Sequence, residues 1–205
     1  IDFWEGKGVC HQVMMEHYVC PGELIFGADS HTCSYGALGA FGTGVGCTDL
    51  LYGMVTGKSW VLVPETVKFN LVGKLPEGVY ARDLILTIIG TIGANGCNYQ
   101  VMEFTGEGAK TLSISERMVL CNMAVEAGAK TGIFEPDEKA IEYLEAHGRK
   151  PKALFTSDPD AVYAREYTFD LSKIRPVVAK PDFVDNLVPA EEVRGVKIDE
   201  AFLGS

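Results

Sequence analysis

The chain has 205 residues, 47% hydrophobic and 22% charged, a balance that suits a globular protein with a core of useful size. A formal charge of −10, with no cluster of Lys or Arg, argues against a nucleic-acid surface, and no run approaches the roughly 18 apolar residues of a membrane span. Six cysteines at irregular spacing, with no C-x-x-C pair, read as reduced thiols of a cytoplasmic protein rather than a disulfide framework. The first residues, Ile1 to Glu5, carry neither a signal peptide nor an initiator methionine, so a processed or truncated chain is expected.

In chain order, the first predicted strand is Leu24–Ala28, ending in the polar run Asp29-Ser30-His31-Thr32. A glycine-rich turn follows, then a helix near Cys47–Thr56 and a short buried strand at Trp60–Val63. Pro64 and Glu65 mark a boundary. Val67, Phe69 and Leu71 alternate with polar residues as a strand does. Leu84, Ile85, Ile88, Ile89 and Ile92 repeat at threes and fours, predicting an amphipathic helix over Ala81–Ile92. Ser115 can cap a helix running to about Ala127, with Gly128 past its end, and Asp137 can cap Glu138–His147. Asp158-Pro159 suggests a further helix start. Tyr167, Phe169 and Leu171 alternate, and Val177–Ala179 and Val196–Leu203 are further strand candidates. The stretch from Pro176 to Pro189 reads as a connection. Strands alternating with helices predict an α/β architecture with a largely parallel sheet. The divisions expected are 1–64, 65–163 and 164–205.

Four segments carry chemistry. Asp29-Ser30-His31-Thr32 sets a carboxylate, a hydroxyl and an imidazole at the carboxyl end of a strand, where open α/β sheets bind ligands. The same residues also make a capped turn with a surface histidine. In Cys121-Asn122-Met123-Ala124-Val125-Glu126, Asn122 and Glu126 would share a helix face, either as a buried pair needing partners or as an exposed polar stripe. His11, in Gly8-Val9-Cys10-His11-Gln12, is a lone histidine that fits a packed or surface role as well as a catalytic one. The run Tyr35 to Gly46 fits neither nucleotide-loop pattern. Close packing of the helix from Cys47 against neighbouring backbone is the better reading of its glycines.

Taken together and in this order, Gly8–Gln12, Gly27–Thr32, Gly36–Gly46 and Leu120–Glu126 resemble the aconitase family over essentially the whole chain. The compact spacing and Tyr35–Phe41 resemble its isopropylmalate dehydratase and homoaconitase branch. Cys33-Ser34 departs from the Pro-Asn found in aconitase proper. The resemblance implies three-layer α/β domains with mostly parallel sheets. It also implies a hydro-lyase large subunit that dehydrates and rehydrates a hydroxy di- or tricarboxylic acid, with 3- and 2-isopropylmalate in leucine synthesis expected first and homoaconitase or dimethylmalate dehydratase as alternatives, and with a small partner subunit. It further implies a 4Fe–4S cluster whose first thiolate would follow Ser205, so that none of the six cysteines here is a ligand. By the same resemblance His11 pairs with Asp29, His31 pairs with Glu126, and Ser30 and Asn122 bind substrate or the cluster surroundings. The family's carboxylate-binding arginines are expected in later segments or in the partner. A different reading of the chain is a non-catalytic α/β binding fragment, including an RNA-regulatory one.

Overall fold

The computed structural model describes residues 2–204. The chain opens with α1 (Cys10–His17), then β1 (Leu24–Gly27), a 3-10 helix over Ser30–Leu38, β2 (Phe41–Gly44) and α2 (Cys47–Thr56). β1 and β2 pair in parallel as a sheet of their own. Next come β3 (Thr66–Val72), α3 (Ala81–Ile92), β4 (Val101–Thr105), α4 (Glu107–Thr111), α5 (Ile114–Asn122), a 3-10 turn over Met123–Ala127, β5 (Thr131–Phe134), α6 (Glu138–Ala146) and β6 (Arg165–Asp170). Their strands form one parallel sheet in the order β5-β4-β3-β6. A short antiparallel pair, β7 (Val177–Ala179) and β8 (Leu187–Pro189), follows. The architecture is α/β with mostly parallel pairing.

Local chemistry explains most boundaries. β3 alternates as its sequence does, with Val67, Phe69 and Leu71 fully buried. α3 occupies the residues its periodicity predicts and buries Leu84, Ile85, Ile88 and Ile89. Asp137 caps α6 by accepting from the Ala140 N–H. The same carboxylate holds Arg117, which is 1% exposed, through two hydrogen bonds of 2.8 and 2.5 Å. Burial pushes the Asp137 carboxyl up, but the paired guanidinium outweighs it and leaves the carboxyl below its ordinary range.

Several expectations are corrected. Trp60–Val63 is not a strand; Trp60, Leu62 and Val63 are exposed, continuous with an α2 that buries none of its residues. Apolar composition called for burial there, and nothing among the described residues covers it. Asp158-Pro159 starts a turn, closed by Ala161 N–H to the Asp158 carbonyl, and no helix follows. Val196–Leu203 forms no strand over its described residues, because no neighbour offers it a ladder. The stretch Pro176–Pro189 is more than a connection, since it holds the β7–β8 pair. The strand expected to open a third unit, β6, is hydrogen-bonded to β3, so the central sheet runs across the division placed at 164.

The helix expected from Ser115 to Ala127 is capped instead by Ser113, in a reciprocal box with Glu116, and it stops at Asn122. The chain then tightens into the 3-10 turn. At three residues per turn, positions four apart no longer eclipse. Asn122 and Glu126 therefore do not share the expected face.

Candidate active site

The site is built on the turn after β1. Asp29 is extended and caps the 3-10 helix, its Oδ1 accepting from the His31 N–H at 2.8 Å. Thr32 donates its hydroxyl to the Asp29 carbonyl at 2.7 Å. Ser34 donates to the His31 carbonyl at 2.8 Å, and Asn122 Nδ2 donates to Ser34 Oγ at 3.0 Å. The end of α5 thus anchors the turn. Cys33 Sγ lies 3.4 Å from the Asn122 carbonyl, and burial pushes its thiol up to about 12, so it is a packing group and no nucleophile.

The glycines explain how this turn sits so deep. A Cβ on Gly36 would collide with the Gly132 carbonyl of β5, and one on Gly42 with the Thr32 carbonyl. One on Gly44 would stand 2.7 Å from the Asp29 carbonyl oxygen. Close backbone approach is therefore what these residues provide. It serves the Asp29–Tyr35 turn rather than the helix from Cys47, as the sequence had suggested. Gly46, which caps that helix, meets only the Asp49 side chain.

His11 reaches the turn from α1. Its Nε2 lies 2.8 Å from Asp29 Oδ1, and its Nδ1 lies 3.1 Å from the hydroxyl oxygen of Tyr35. The His11 hydrogen bond, followed by that of the His31 N–H, holds the Asp29 carboxyl below its ordinary value. An ionised Asp29 accepts from Nε2–H. Burial pushes the Tyr35 phenol well up, so it keeps its proton and donates it to a neutral Nδ1. When the imidazolium forms, Nδ1–H donates to the phenol oxygen instead.

His31 differs. Its Nδ1 stands 3.2 Å from Ser30 Oγ and 3.7 Å from Asp29 Oδ1, while its Nε2 forms no hydrogen bond to the described residues. His11, Asp29, His31 and Asn122 line one cleft of about 690 Å³, within the range of small-ligand sites. Val9, Met118 and Val119 give it an apolar wall, and Ser34, Ser115 and Arg82 also border it. Tyr35, Ser34 and Arg82 are members the sequence reading missed. Ser34 and Tyr35 carried family resemblance in the sequence but no sign of a contact with Asn122 or His11, and Arg82 lay inside an amphipathic helix.

Two expected members stand elsewhere. Ser30 lines an adjoining cavity with Asp29, Gly44 and Lys130. Glu126 is exposed and makes no hydrogen bond or ion pair with His31 among the described residues, so the expected His31–Glu126 pair is absent here. The 3-10 turn, by rotating Glu126 away from the Asn122 side, accounts for this.

Residues 1–202 match the aconitase family (aconitate hydratase). The chain belongs to the aconitase family. It is 52% identical over 200 residues to the 3-isopropylmalate dehydratase large subunit 1 of Methanopyrus kandleri, covering 97% of this chain and 48% of that protein. It is 50% identical over 204 residues to the 3-isopropylmalate dehydratase large subunit of Aquifex aeolicus, covering 99% and 47%. It is 49% identical over 205 residues to the probable methanogen homoaconitase large subunit of Methanothermobacter thermautotrophicus, covering 99% and 48%. The chain thus spans about half the length of the curated relatives it matches.

The aconitase family implies a 4Fe–4S cluster in the complete protein, and the cysteines here do not fit one. Cys20, Cys33, Cys97 and Cys121 are buried, Cys10 and Cys47 are exposed and separate, and no three His, Cys, Asp or Glu residues are grouped as a metal site among the described residues. Ser205, expected to precede the first ligand, lies outside the described residues.

Proposed function

We propose that this chain is part of a hydro-lyase large subunit acting in the stereospecific dehydration and rehydration of a hydroxy di- or tricarboxylic acid, with 2- and 3-isopropylmalate as the substrates and leucine synthesis as the setting. The observation that carries the reading is the His11–Asp29 pair at 2.8 Å, set beside a His31 imidazole with an open Nε2 in the same cleft. A hydration needs groups that take up and return a proton, and imidazoles oriented by carboxylates do that near neutral pH. His11 is held at both nitrogens and keeps the Asp29 turn in place. His31 is the group with a free nitrogen to exchange a proton with substrate or water. Asn122, whose amide donates to Ser34, borders the cleft and is assigned a hydrogen bond to substrate there.

Ser30 and Glu126 complete the proposed set by resemblance. Ser30 adjoins His31 Nδ1, and Glu126 lies near enough for its charge to act on the Cys33 thiol. The iron–sulfur cluster belongs to the complete protein and is proposed to be held by segments other than these. A small subunit completes the enzyme, in keeping with relatives named as large subunits. No described helix is long and apolar enough to cross a membrane. A cytoplasmic setting goes with six cysteines that form no disulfide.

The second reading, a homoaconitase large subunit, is favoured by the similarity to the methanogen protein. The test uses the full-length protein with its small subunit, assayed on 2-isopropylmalate and on homocitrate. Preferred turnover of isopropylmalate is expected, and preference for homocitrate would install the second reading. Changing His31→Gln should lower kcat by about 10²–10⁴-fold, the usual contribution of a positioned acid–base group. A variant with wild-type kcat would remove His31 from the mechanism.

A further inference from the structure

One charged group in the cleft has no structural task. Arg82 is the second residue of α3 and is exposed. Its guanidinium, like those of Arg175 and Arg194, makes no hydrogen bond and no ion pair with the described residues, while Arg117, Arg149 and Arg165 are engaged, and of the three unengaged arginines Arg82 is the one bordering the cleft. It lines the same cleft as His11, Asp29, His31 and Asn122, and it is the one Lys or Arg among the residues lining that cleft. Opposite chemistry surrounds it. The wall formed by Val9, Met118 and Val119 is apolar, and the chain as a whole carries a formal charge of −10. The cleft also holds the ionised Asp29, so a dianion entering it gains from a permanent cation that offsets the repulsion.

We propose that Arg82 is a substrate-binding residue that receives a carboxylate of the hydroxy acid while the reacting carbons lie at His31. This assignment rests on the hydro-lyase reading above and adds to it a carboxylate anchor within this chain. A guanidinium suits the task because its planar fork meets both oxygens of a carboxylate at once, and it stays charged at any working pH. Its seat at the start of α3 adds precision. The helix is rigid, with Leu84, Ile85, Ile88 and Ile89 buried beneath it, so the arginine is presented from a fixed base rather than a loop. Ser115, second in α5 and bordering the same cleft, adds a hydroxyl on that rim.

The test compares full-length wild-type protein, assembled with its small subunit, with R82Q and R82K variants, reading KM and kcat for 2-isopropylmalate and KM for an ester of it in which one carboxylate is neutral. Losing a charged hydrogen-bonding partner should raise the diacid KM of R82Q about 10- to 100-fold with kcat within about threefold. The ester should lose little or nothing further. R82K should fall between the two, since an ammonium keeps charge but not the fork. A diacid KM within twofold of wild type, or a fall in kcat with KM unchanged, overturns the assignment. If R82Q does not fold, R82K decides: a raised KM supports the anchor, and a wild-type KM overturns it. Failure of the wild-type assembly to turn over any hydroxy acid would sink the hydro-lyase reading itself, and the anchor with it.

Discussion

His11 forms hydrogen bonds through both ring nitrogens, and the partners differ in kind: a carboxylate that stays ionised and a buried phenol that stays protonated. Its first measurable consequence lies in Asp29. Because the folded pKa of Asp29 is lowered, its stabilising contribution is complete above the ordinary carboxylate value and is lost as the pH falls through the depressed one. A carbon-detected NMR titration should place the Asp29 midpoint below 3.8. Replacing His11 with Gln removes the largest cause and should move the midpoint back toward 3.8, leaving the smaller contribution of the His31 N–H. An unmoved midpoint would mean that the pair is not formed in solution. The sequence made His11, Asp29, His31 and Asn122 legible, because their motifs occur in the family order and the chemistry is written in the residue types. It did not reveal Tyr35 as the second partner of His11. A tyrosine in a glycine-rich run carries no periodic signal, and only the 3-10 path of the backbone brings it under α1. The expected His31–Glu126 contact is absent for the same reason in reverse, since a spacing of four predicts a shared face only while the helix stays α.

At the scale of elements, regularity was readable and compaction was not. α3 announces itself by threes and fours, and α6 by the aspartate before it. β4 does not, since Val101, Met102, Glu103 and Phe104 are all buried and a strand covered on both faces loses its alternation. The Ser30–Leu38 segment was read as a turn because its glycines hide their purpose until the facing backbone is known. That purpose yields a prediction. Gly36→Ala must push the 3-10 helix away from β5, at a cost of about 1–3 kcal/mol, the usual penalty of overpacking. Urea unfolding should show the loss. Because Ser34, which holds Asn122, is two residues away, the amide signal of Asn122 should shift as well. A Gly36→Ala variant as stable as wild type would show that this interface gives way easily. By contrast Gly57→Ala leaves open space around the new methyl, so any cost there comes from its positive φ of 68° alone.

For the whole molecule, the sheet order β5-β4-β3-β6 decides which cuts the protein tolerates. The sequence placed a division at 164, reading renewed alternation as the start of something new. The register instead pairs Val67 through Val72 with Arg165 through Asp170. Alternation reports that a strand exists and is silent about which sheet receives it. A chain ending at residue 163 should therefore leave β3 as a bare edge, with the Phe69–Tyr167 ring stack at 5.5 Å undone. Expected outcomes are a lower unfolding midpoint and binding of a hydrophobic dye that the longer chain does not bind. Equal midpoints for the two chains would show that β6 is dispensable.

The same order has a consequence in time. A ribosome making about 5–20 residues per second completes β3, β4 and β5 well before β6 emerges. β4 can add to β3, and β5 to β4, each soon after its own synthesis. The other side of β3 must wait until nearly a hundred further residues have been made, and for those seconds it presents free N–H and C=O groups beside Phe69. The vulnerable moment of this protein is thus set by topology rather than by final stability. Slowed translation between Phe134 and Arg165 should lengthen it, and a chaperone that shields strand edges should matter most there.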